Sequence, residues 1–172
     1  KVDNISVAKL ELTMGPVCDL ILGKTRFAGV GCEVIAAYNY LTYEGFEPDM
    51  AKLAYDFEKN ALIAADGSLG SNPRKISGLF KAMGVGYKRF YKVDEAQAAV
   101  EEGKPVIVSY HIGLNIFSGI HTVFAVKEEG RLYVYNCYNS AADKTEVESI
   151  YQLMNKNSLF IVGYTEDDGQ MR

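Results

Sequence analysis

Residues 29–44 read Gly29-Val30-Gly31-Cys32-Glu33-Val34-Ile35-Ala36-Ala37-Tyr38-Asn39-Tyr40-Leu41-Thr42-Tyr43-Glu44, with Gly45 next. From about Cys32 to Glu44, the residues Val34, Ile35, Ala36, Ala37, Tyr38, Tyr40 and Leu41 are apolar nearly all round a helical wheel. A helix apolar on every side belongs in the middle of a domain, not on its surface. It starts after a glycine pair and stops at Gly45, so Cys32 falls in its first turn. Unpaired N–H groups and the positive end of the macrodipole favour an anion there, and a thiol is expected to ionise more easily. The flanking glycines leave the backbone uncovered, and the Cys32 N–H can point at a developing oxyanion. The bland alternative is a buried, inert cysteine. Glu33 is expected to be a solvated helix-start carboxylate.

Working outward, Glu47-Pro48-Asp49 opens a second helix, with Pro48 suited to a first turn and Met50, Leu53, Ala54 and Phe57 at helical spacing. Gly67 to Gly70 reads as a loop. Asn72 or Ser71 caps a third helix with Pro73 early in it; Ile76, Leu79, Phe80 and Met83 form its stripe, and Gly84 stops it. Residues 86–91 alternate like a strand, and Asp94 caps a short helix to Glu102. The period then becomes extended. Val106–Tyr110, Thr122–Val126 and Leu132–Tyr135 read as strands, the last two a hairpin across Glu129-Gly130. A helix is expected near 144–155 and a final strand over Leu159–Tyr164. Helices first and antiparallel strands second indicate an α+β fold. The expectation is one domain over residues 1–172, with an N-terminal arm over 1–24 and a flexible acidic tail over 166–172.

The formal net charge of −4 suits a nucleic-acid backbone poorly. No stretch approaches the roughly 20 apolar residues needed to cross a bilayer. No leader peptide is visible. A cytoplasmic location is favoured, with secretion open because the sequence begins at Lys1 and not Met. The three cysteines, Cys18, Cys32 and Cys137, are an odd number without a Cys-x-x-Cys, which argues against a disulfide framework or a thioredoxin-like site. Metal-ligand spacing is not evident, and no cofactor is expected. Cys18 reads as buried filler and Cys137 as structural.

Only two histidines, His111 and His121, could act as base to a cysteine. His121, in Ser118-Gly119-Ile120-His121-Thr122-Val123, opens a strand after a glycine-containing loop, where a side chain can face a cleft. A nucleophilic thiol needs such an imidazole to move its proton. His111, in Tyr110-His111-Ile112-Gly113, is the competing base. Asn136 lies 15 residues after His121, at the end of the next strand. Pairing in the hairpin would bring its amide oxygen to the imidazole and fix the tautomer. Asn139 competes for that role. Tyr110, Phe117, Tyr135 and Tyr138 could wall a peptide site, although aromatic strand residues are more often core.

A Gly-Cys opening a buried helix, a Gly-x-His opening a later strand and a polar residue ending the strand after that resemble the papain-fold cysteine peptidases. The likeness is to the compact bacterial branch that includes the double-glycine leader peptidases. It spans roughly residues 25 to 140, including Gly70-Ser71-Asn72-Pro73 and Glu102-Gly103-Lys104-Pro105-Val106-Ile107-Val108. It implies a papain-like fold, with the Cys-bearing helix packed on a C-terminal antiparallel sheet. It also implies Cys32 as nucleophile, His121 as base and Asn136 as the residue that holds the base. Two departures stand out. The family's Gln upstream of the Cys is absent: no Gln precedes Gln97, and Lys24, Thr25 and Arg26 stand in that region. Asn136 replaces the branch's more common Asp, so it can orient the ring but not neutralise an imidazolium by charge.

The expected activity is therefore hydrolysis of a peptide or protein substrate through a Cys32 thioester. An amidase or acyl transferase would use the same pair. A catalytically impaired peptide-binding module, or a structural protein with an inert Cys32, are the non-enzymatic alternatives. Neither a nucleic-acid partner nor a membrane span is expected.

Overall fold

The computed structural model describes residues 21–22, 25–26, 31–60, 71–113, 119–137, 144–154, 158–167 and 169. Strands β1 (Ile21–Leu22) and β2 (Thr25–Arg26) form a small antiparallel pair. Helices α1 (Cys32–Tyr43) and α2 (Met50–Lys59) follow. A 3-10 turn (Pro73–Lys75) leads into α3 (Ile76–Ala82), then β3 (Lys88–Phe90) and α4 (Val93–Glu101). The remaining strands are β4 (Val106–His111), β5 (Ile120–Glu128), β6 (Arg131–Tyr135), β7 (Thr145–Val147) and β8 (Leu159–Thr165), with a 3-10 turn (Ile150–Leu153) before β8. Helix and antiparallel sheet together make an α+β fold.

Local chemistry explains the element ends. Helix α1 closes with Gly45 at φ +86°. The Phe46 N–H donates to the Leu41 carbonyl and the Gly45 N–H to that of Thr42, the paired bonds of a Schellman stop. Asp49 caps α2 by accepting from the Lys52 amide at 2.7 Å. Asn72 accepts from the Arg74 amide at 3.1 Å and starts the turn into α3.

The main sheet runs in the order β3-β8-β4-β5-β6-β7, every neighbouring pair antiparallel. Alternation gives it two apolar faces. One buries Ile107, Phe124, Val126 and Tyr164 against α1, α2 and α3. The other buries Val106, Val108, Val123, Ala125 and Val134 against α4 and the second 3-10 turn. The expected segregation is therefore incomplete, because α4 crosses to the far face between β3 and β4. A bulge in β8 follows from the β4 register, which passes from Ser109↔Val162 to Tyr110↔Phe160. It leaves Ile161 without a β4 partner, so Phe160 and Val162 join opposite faces.

The helix expected near 144–155 is corrected. Thr145–Val147 pairs with β6 as an edge strand, and Ile150–Leu153 makes one 3-10 turn. Thr145 and Val147 are β-branched and fit a strand. Ile150 and Leu153, three apart, both bury on a single turn. That turn is tied to α4, where the Ile150 amide donates to Gln97 Oε1 at 2.8 Å and the Tyr151 hydroxyl to Asp94 Oδ1 at 2.7 Å. Strand 86–91 shortens to Lys88–Phe90, and the third helix begins as 3-10. The Gly67–Gly70 loop and nearly all of the 1–24 arm lie outside the described residues. Among the described residues no helix is long and apolar enough to cross a membrane.

The Phe90 ring packs over Gly163, its β8 partner. A Cβ at Gly163 would sit 2.0 Å from Phe90 Cε2. Gly163→Ala is expected to destabilise the fold by about 1–3 kcal/mol, the usual cost of overpacking. Urea denaturation checks this, and Phe90→Leu in the same chain should recover part of the loss.

Candidate active site

Cys32 is the first residue of α1 and follows Gly31, whose position offers no side-chain cap. Burying α1 against β5 brings this helix start to the sheet end where β5 begins. The thiol is half-buried. Main-chain N–H groups of Thr122, Glu33 and Cys32 itself approach it and favour the thiolate. Burial opposes them, the Glu33 carboxyl adds to the opposition, and the thiol is pushed up to about 12. The expected fall in the thiol pKa is thus corrected. The helix start does present its amides, but they contribute less than removal from water costs.

Glu33 is not the solvated carboxylate expected. It is 1% exposed, and Oε2 has no hydrogen-bond partner among the described residues. Burial raises its pKa to about 8; the nearby Ser71 hydroxyl lowers it by less than burial raises it. Glu33 and Ser71 are the features that sequence reasoning missed. A usable signal was present: a helix apolar all round leaves no wet face for residue 33.

His121 is the second residue of β5, paired with Tyr110 of β4. The two rings meet edge-to-face with centroids 5.9 Å apart. His121 Nε2 lies 2.6 Å from the Asn136 main-chain oxygen. A carbonyl oxygen only accepts, so Nε2 carries the proton and the neutral ring has its lone pair on Nδ1. Burial lowers the imidazole pKa below its usual 6.5, partly offset by the main chain at Asn136 and Cys137. The resting ring is therefore a neutral base.

Asn136 is placed next to His121, through a different atom from the one expected. Its backbone turns into the left-handed region, φ +61°, just after β6, and that directs its own carbonyl at the imidazole. Asparagine tolerates this conformation better than most residues. Its side chain is 2% exposed, and both amide atoms lack partners among the described residues.

Thr122, whose amide approaches the sulfur, directly follows His121. Among the described residues no hydrogen bond joins the thiol to His121. Strand alternation gives Thr122 to the face that α1 covers, where its hydroxyl meets that of Ser109 at 2.9 Å, and His121 to the side of Tyr110. The same alternation gives His111, paired with Ile120, to the face of α1, and it stands as the second candidate base.

Cys137 is buried, its main chain near His121. Tyr110 and Tyr135 are core residues, Tyr135 donating to Glu128 Oε1 at 2.7 Å. Cys18, Lys24, Phe117, Tyr138 and Asn139 lie outside the described residues. Thr25 and Arg26 are described only as backbone of β2. Among the described residues, no group of three His, Cys, Asp or Glu could hold a metal ion. The chain matches no family model and no curated protein.

The buried carboxyl makes stability depend on pH with a definite sign. The folded Glu33 pKa of about 8 exceeds the ordinary 4.5, so the folded state holds this proton more tightly. Its favourable contribution is full below the unfolded value and is lost as pH rises from about 4.5 to about 8. Glu33→Gln should flatten the fall in stability over that window by the order of a few kcal/mol. Thermal melts near the two ends of the window test this; parallel losses in both chains would exclude a neutral buried Glu33.

Proposed function

We propose that the chain is a cysteine hydrolase with a papain-like fold that cleaves peptide or amide bonds. The observation that carries it is the neutral, anchored His121 base beside the Thr122 amide that meets the Cys32 sulfur. With Nε2 held by Asn136, Nδ1 is the atom that takes the thiol proton as the sulfur attacks a substrate carbonyl. The thiol is protonated at rest, so proton transfer accompanies attack and no ion pair precedes it. The Cys32 amide at the helix start supports the developing oxyanion. The imidazolium then protonates the leaving amine, and water hydrolyses the thioester with the same ring as base. An amidase or acyl transferase would share every step up to the thioester.

A second assignment, a peptide-binding module that has kept the fold, is favoured by one specific observation. The thiol makes no hydrogen bond to His121 among the described residues, and burial opposes its ionisation. The absent upstream Gln points the same way.

Incubating the intact chain with a peptide library, with products read by mass spectrometry, separates the two. Cys32→Ala should abolish cleavage. His121→Ala should slow it by about 100- to 10,000-fold, the range for a general base, while His111→Ala leaves it nearly unchanged. A larger effect of His111→Ala than of His121→Ala would move the base to β4. A chain that cleaves nothing, yet binds peptides equally with and without the Cys32 thiol, is the binding module.

A further inference from the structure

Glu33 has no part in the acyl-transfer scheme, yet it is the acidic group next to the nucleophile in the chain. It is fixed on the first turn of α1, 1% exposed, with Oε2 unpartnered among the described residues. Ser71 approaches it from the chain just ahead of the first 3-10 turn. That segment is anchored where the Tyr164 hydroxyl donates to the Pro73 carbonyl at 2.6 Å. Ser71 is itself 5% exposed, and its hydroxyl completes no hydrogen bond among the described residues. Among the described residues, the titratable side chain that the strands turn toward this end of α1 is His111 on β4, since alternation gives His121 to the opposite face, and desolvation is the main influence on the Glu33 carboxyl. Among the described residues, no cation is seen to neutralise a carboxylate here. Two adjacent anions, one of them on a carboxyl removed from water, repel more strongly than they would in solvent.

We propose that Glu33 governs the ionisation of Cys32: each of these neighbouring acids disfavours the negative charge of the other, and the thiolate forms readily only while Glu33 keeps its proton. Glu33 is thus a positioning residue that acts on any chemistry through the sulfur. Ionisation of Cys32 sends its proton to solvent or to an imidazole and leaves the Glu33 proton in place. Ionisation of Glu33 first makes the thiol harder to deprotonate. This goes beyond the hydrolase assignment and does not depend on it, because it concerns the titration of the thiol itself.

The test is alkylation of Cys32 in the intact chain by iodoacetamide, followed residue by residue with mass spectrometry. An isolated thiol alkylates in direct proportion to hydroxide concentration until it is fully deprotonated. Coupling to Glu33 instead produces a plateau near pH 8, where the carboxyl ionises, with a renewed rise beyond it. Glu33→Gln should match the natural chain below the plateau, lack the plateau, and react about tenfold or more faster above it, the factor for one pKa unit. A rate in the natural chain that climbs without a plateau overturns the proposal and needs no variant. A folded Glu33→Gln chain whose profile superimposes on the natural one overturns it equally. His121→Ala keeps the two ideas apart: alkylation indifferent to His121 would sink the Cys–His pair, while the plateau would still stand.

Discussion

Burial of α1 against β4 and β5 is the constraint on which the rest depends. Val34, Ile35, Tyr40 and Leu41 are fully buried. At about 2 kcal/mol for each large apolar side chain, these four contribute roughly 8 kcal/mol. That exceeds the few kcal/mol that an awkward polar neighbour costs. The helix therefore goes in whole, and Glu33 goes in with it. The same burial sets Cys32 at the end of the sheet where β5 begins.

The electrostatics at the helix start are settled by magnitude. A helix N-terminus favours an anion by about 0.3–1 kcal/mol, up to about 2 when partly buried. Desolvation of an ionised group in a packed site costs several kcal/mol. Both acids at this point are therefore protonated at neutral pH, despite the amides that approach Cys32. The base is neutral for the same reason. The result is a site whose resting groups carry no charge and whose reactivity depends on moving protons within it.

The imidazole is held by the backbone of a turn. Hairpin pairing ends at Phe124↔Tyr135, so Asn136 no longer has to satisfy the ladder. Its left-handed conformation turns the carbonyl toward His121, and the buried main-chain oxygen gains a ring N–H as its donor. An asparagine suits this position twice over, as a residue that accepts positive φ and as a short polar side chain at a strand end.

Much of the framework was legible from residue order. The all-round apolar run after Cys32 declared a central helix, Gly45 its end, and Glu129-Gly130 the hairpin that sets Asn136 near His121. These are local signals of period and turn chemistry, which the chain carries wherever it folds. The segment after Lys144 was misread because Ile150 and Leu153 fit a helical stripe as well as a single turn; pairing of Thr145–Val147 with β6 resolved it. What the tertiary structure alone decided was the state of the site. Whether Glu33 is wet, whether Cys32 is a thiol or a thiolate, which atom of Asn136 meets His121, and which sheet face each histidine takes all depend on partners far away in the chain. Ser71 and Thr122 act on residues 32 and 33 from distant elements, and desolvation is a property of everything packed around a group, which no short stretch of sequence contains.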